Sequence, residues 1–240
     1  MILESTPFDI VLQTLHSERE KTLFFQRKMV ARLKPEMLRY DCFSAVYTHP
    51  ESKNKYLFWC GPITTKTRFQ RIGNANFRSG ICLLVETAKG ERMVYSYAHK
   101  NIPGEGVVDT IMVFTAHFFQ RYRERFGIGP EVYAEELICI FLNRNSEAMP
   151  LDYDIIAKYH PRPDGAAMQG HDGLILGEEK EYRPDGRHFF AVRYNTFIST
   201  AMLKDDQAAE WMTEEKYHAK LREYAKDILR EHPVFSQWMK

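Results

Sequence analysis

His117, Arg121 and Arg125 recur at every fourth position of the segment TAHFFQRYRERFG (115–127). An imidazole exchanges a proton near neutral pH, and a guanidinium stays charged and holds phosphate oxygens in a fork. One acid/base group beside two anion clamps suits phosphodiester transfer without a metal. In RNA, a base takes the 2′-hydroxyl proton, the freed oxygen attacks the adjacent phosphorus, and arginine offsets charge on the non-bridging oxygens. The leaving 5′-oxygen needs a proton donor, for which His188 is the candidate. Tyr194, Thr196 and Thr200, farther along the same segment, are candidates for orienting the phosphate. The stripe also has a plain reading. Arg121 and Arg125 then pair with Glu124, Glu135 or Glu136 on a solvated helix face, and His117 bonds a backbone group near the helix start.

These groups share a stripe only if 115–127 is helical. At ~100° per residue, His117, Arg121 and Arg125 fall beside an aromatic face of Phe118, Phe119, Tyr122 and Phe126. Thr115 suits the N-cap and Gly127 a left-handed end. A second helix follows, with Pro130 at its first position, Glu131 at its positive end and an apolar face of Leu137, Ile140 and Phe141. GLILGEE and HFFAVRYNTFISTAML read as a hairpin joined across KEYRPDGR, which places His188 and Thr196 on strand.

Upstream, residues 9–34 read as one helix capped by Asp9 and stopped by Pro35. Between about 40 and 114, FSAVYTH, KYLFWCG, GICLLVET and RMVYSYAH read as strands, with a hairpin at AKGE, and VVDTIMVF as one more strand or the approach to the next helix. Residues 145–172 read as a long loop with at most one short element and 205–231 as a C-terminal helix. The expected fold is one α+β domain with a mixed or antiparallel sheet. Its parts are a helix-plus-strand block (1–111), a helix–helix–hairpin core (112–203) and the C-terminal helix (204–240).

Two other constellations carry chemistry. His160, Asp164, His171 and Asp172 lie in one turn-rich loop and offer ligands for a metal-dependent hydrolase at 160–172, although their spacing matches no standard site. The segment 65–80 carries Lys66, Arg68, Arg71 and Arg78, which can meet a phosphate or an acidic partner. Phe69 and Phe77 there can stack on bases. It lacks the Gly-Lys-Ser/Thr ending of a P-loop, and its glycines equally suit a hairpin turn.

Composition narrows the classes. With 240 residues, 44% hydrophobic content and a net charge of +1, the chain reads as an ordinary folded protein. It does not read as a nucleic-acid binder that is basic all over. No apolar run reaches the ~20 residues needed to span a bilayer, and the start does not read as a signal peptide. Cys42, Cys60, Cys82 and Cys139 form no CxxC pair and read as reduced core thiols of a cytoplasmic protein.

The order TAHFFQRYRERFGI, a second helix, then strands ending in FAVRYNTFISTAML resembles the BrnT and RelE type of toxin ribonucleases, in the barnase–EndoU–colicin–RelE-like group. The resemblance spans about residues 112–203. It implies a metal-independent endoribonuclease acting on RNA phosphodiesters, with His117, Arg121 or Arg125, and Thr196 or Thr200 as site residues. No cofactor and no resident metal are expected. The competing expectation is a non-catalytic accessory protein that binds RNA, another phosphate-bearing ligand or a protein partner through its basic helix and loop.

Overall fold

The computed structural model describes residues 1–34, 42–62, 70–72, 75–102, 104–151 and 164–203. The segment predicted as a C-terminal helix, together with His160, Lys66, Arg68 and Phe69, lies outside them.

The class is α+β. Two helices, α1 (Phe8–Ser17) and α2 (Arg19–Val30), precede the strands β1 (Phe43–Thr48), β2 (Lys55–Pro62), β3 (Gln70–Ile72), β4 (Ala75–Glu86), β5 (Arg92–Ile102) and β6 (Gly106–Phe114). Next come α3 (Ala116–Arg125) and α4 (Ala134–Arg144). The strands β7 (Met149–Pro150), β8 (Gly165–Gln169), β9 (Gly173–Tyr182) and β10 (Phe189–Ser199) follow. One mixed sheet runs β1-β2-β4-β5-β6-β10-β9-β8-β7, with β3 beside β4. Among the described residues every pairing is antiparallel except β6 with β10. That parallel seam joins the first strand block to the β7–β10 meander.

Alternation along each strand divides the helices between the two faces. Tyr95, Ile111 and Phe189 pack under Val11 and Leu12 of α1. Their neighbours in sequence point the other way: Val94 and Met112, with Phe114 two residues on, join Phe118 and Tyr122 of α3 and Leu137 and Phe141 of α4. Phe114, Phe118, Tyr122, Phe141 and Phe197 meet mostly edge-on, with centroids 4.9–6.1 Å apart. Each such buried ring contributes roughly 1.5–3 kcal/mol.

Four sequence expectations are corrected. The first helix divides at Glu18, because its buried carboxylate is drawn to the β1–β2 hairpin by Asn54 Nδ2 (3.0 Å) and the Tyr56 hydroxyl (2.7 Å). It starts at Phe8, so Asp9 sits in the first turn instead of capping it. The second central helix starts at Ala134, not Pro130. The Arg123 guanidinium takes the carbonyls of Gly129 and Val132 and holds 129–132 as a turn. The 145–172 segment contains two strands, β7 and β8, where at most one short element was expected. GAAMQ has weak strand propensity, and pairing with β9 supplies what propensity does not.

Candidate functional site

α3 forms for the expected reasons. The Thr115 hydroxyl accepts from the Phe118 N–H at 3.2 Å, and Gly127 ends the helix with φ +58°. The Thr115 N–H and hydroxyl both donate to the Tyr194 carbonyl at 3.2 Å, which sets the helix start at the end of the β6–β10 seam.

The stripe of His117, Arg121 and Arg125 is not straight. Four residues turn the helix by ~400°, so each step rotates the side chain by ~40°. His117 and Arg121 are exposed, and Arg125 is half-buried at the rim of the aromatic core. His117 and Arg125 are about 12 Å apart along the axis. Arg121 pairs with Glu124 at 3.1 Å, both ends exposed. Arg125 has no such partner among the described residues, and its Nη1 is buried without a hydrogen bond. Burial, then the Arg121 charge, lowers its pKa from the usual guanidinium value, against a smaller opposing pull from Glu124. An unsatisfied cationic nitrogen in that setting favours an incoming anion.

The other predicted members stand apart. His188 lies just before β10, not on the strand as expected, at the far end of it from Tyr194, six residues or about 20 Å of extended chain away. There its ring nitrogens lie 2.6 Å from Glu105 and 3.3 Å from Glu181. Thr196 is paired with Leu176, whose cluster with Leu174 and Ile198 covers the opposite face of the sheet from α3. A bulge at Asn195 is the cause. It lets Tyr194 and Phe197, three residues apart, both face the α3 core, and it leaves Thr196 outward of them. Thr200 is exposed, and its N–H donates to the Asp172 carbonyl at 3.2 Å. The structure therefore keeps Arg121 and Arg125 adjacent with His117 on the same helix, and removes His188 and Thr196 from the set.

The candidate metal loop is also reassigned. Asp172 is a structural anion, its side chain 1% exposed. Arg144 Nε lies 2.9 Å from both carboxylate oxygens and its Nη2 2.5 Å from one. The Tyr122 hydroxyl donates at 2.6 Å and Asn145 Nδ2 at 2.9 Å, and the Asp172 N–H returns a bond to Asn145 Oδ1 at 3.1 Å. Burial pushes the Asp172 carboxyl up, but the bonds from Arg144 and Tyr122 outweigh it and hold the pKa below the usual value. Burial, then the Asp172 charge, drives the Tyr122 phenol upward. His171 is exposed, and no group of three or more His, Cys, Asp or Glu among the described residues is placed to hold a metal ion. In the 65–80 segment, Phe77 is buried and cannot stack on a base, and Arg78 pairs with Glu147 and donates to Ser146 at 2.7 Å.

One polar group escaped the sequence reading. On the opposite face, Asp109 receives the Tyr97 hydroxyl at 2.5 Å and lies 3.5 Å from His99 Nδ1 and 3.3 Å from His16 Nε2. Tyr97 and His99 alternate on β5, and His99 is the register partner of Asp109 on β6. The period-two polar pattern in YSYAHK was the available signal. His16 comes from α1, and no spacing reveals it. The group fastens the end of α1 to the sheet.

No described helix is long and apolar enough to cross a membrane. No family model, curated protein or solved structure matches this chain.

Proposed function

We propose that the protein recognises RNA phosphate at the α3 stripe, and that its catalytic form is a metal-independent endoribonuclease. The carrying observation is the buried, unbonded Nη1 of Arg125 beside the like charge of Arg121. A non-bridging phosphate oxygen supplies both the hydrogen bond and the charge that this nitrogen lacks.

In the catalytic form His117 removes the 2′-hydroxyl proton. The 2′-oxygen then bonds to phosphorus, a 2′,3′-cyclic phosphate forms and the 5′-oxygen departs. With His188 remote, water protonates that oxygen. A positioned acid contributes about 10²–10⁴-fold, so cleavage is slow by that factor. A second reading, a non-catalytic RNA-binding protein, is favoured because His188, the expected proton donor, lies far from α3 and because His117 and Arg125 are ~12 Å apart along the axis.

The test is incubation of RNA with excess chelator, comparing the wild type with His117→Ala and Arg125→Ala. Cleavage lost in both variants supports the nuclease. Binding lost in Arg125→Ala with no cleavage anywhere supports the binder. Binding and cleavage unchanged in Arg125→Ala defeat both readings.

A further inference from the structure

The chain's positive charge is unevenly placed. Residues 19–34 carry six Lys or Arg against one acid, while the whole chain is only +1. This stretch holds α2. With Tyr47 on β1 it borders an open groove of about 630 Å³, lined by Lys21, Phe24, Phe25, Arg27, Lys28 and Tyr47, with Glu20 the one acidic residue.

The lining combines two kinds of group. Phe24 is 68% exposed and stands on the outward face of α2 between Lys21 and Lys28, one helical turn to either side. Phe25 turns inward and stacks on Tyr47, with centroids 4.8 Å apart at 21°. Lys21 is held by Glu51 at 2.6 Å, whereas Arg27 and Lys28 are exposed and have no ion-pair partner among the described residues. A solvent-facing phenyl ring within a cationic helix face offers a plane for a base and charges for the flanking phosphates, the combination by which single strands are held without sequence preference. A duplex hides its base faces and cannot use the ring.

We propose that the α2–β1 groove binds single-stranded RNA. The choice of RNA rests on the reading of α3 above, and the groove is a separate surface, because α2 covers the opposite face of the sheet from α3. The strand lies along α2 with a base on Phe24 and phosphates at Arg27 and Lys28.

The test is fluorescence anisotropy of a labelled 12-nucleotide oligouridylate with the full chain, repeated with Phe24→Ala, with the pair Arg27→Gln and Lys28→Gln, and with Arg125→Ala. Phe24→Ala is expected to weaken binding about tenfold. The double variant flattens the dependence of log affinity on log salt by roughly 1.4. These side chains are exposed, and unchanged circular dichroism checks folding. If the groove variants lose affinity and Arg125→Ala keeps it, the groove holds and α3 is not the phosphate site. If only Arg125→Ala loses affinity, the groove is refuted and α3 stands. No binding to any oligomer overturns both. Tighter binding of the deoxy oligomer, of duplex RNA or of a polyglutamate peptide overturns single-stranded RNA as the occupant.

Discussion

Arg144 and Arg125 each end a central helix, and they have opposite fates. Arg144 closes on a buried carboxylate with further support from Tyr122 and Asn145, and its guanidinium lies 5.5 Å from the Phe126 ring centroid. Arg125 forms no ion pair with a carboxylate among the described residues and keeps a buried nitrogen unbonded. The same residue type is structural where the fold supplies the anion and available where it does not. A sequence pattern that counts arginines cannot separate the two, so each needs its own experiment.

The largest expected effect is at the structural end. Asp172→Ala leaves Tyr122, Asn145 and Arg144 without their shared acceptor and is expected to cost about 3 kcal/mol in urea denaturation. A cost under about 1 kcal/mol would show that the network is ornamental and the contrast false. Tyr122→Phe removes one bond to the carboxylate and is expected to lower stability by about 1.5 kcal/mol. The pH dependence sharpens the same point. Because the folded pKa of Asp172 lies below its unfolded value, this contribution is fully present above about pH 4 and is lost as pH falls through the folded pKa. Asp172→Asn, measured beside the wild type across pH 2–6, should flatten the acid limb; parallel curves would assign the acid sensitivity elsewhere.

At the available end the signs reverse. Arg125→Ala is expected to change stability by less than about 0.5 kcal/mol while RNA affinity falls about tenfold. Thermal melts and anisotropy on one preparation check both halves. A large stability loss would make Arg125 as structural as Arg144. The smallest effect is at Arg121, whose pair with Glu124 is exposed at both ends. Its removal should alter stability by at most about 0.5 kcal/mol, and a double-mutant cycle with Glu124→Ala measures the pair directly.

Local patterns carried much of the fold. Thr115 and Gly127 bounded α3, turn residues located the β4–β5 and β9–β10 hairpins, and aromatic periodicity identified the buried face of α3. The break at Glu18 was not legible, because the groups that pull on its carboxylate lie 36 and 38 residues away. β8 was not legible as a strand because its glycine and alanines become strand only beside β9.

The sequence alone determined which residues share a helix face, since a fixed turn per residue makes that a matter of counting. It placed Arg121 and Arg125 together and gave α3 its aromatic core face. Tertiary structure decided which cations keep their charge available. Asp172, His188 and Thr196 took their roles from a buried network, a distant strand end and a one-residue bulge. Each depends on chain segments meeting across the sheet, and spacing along the chain does not encode such meetings.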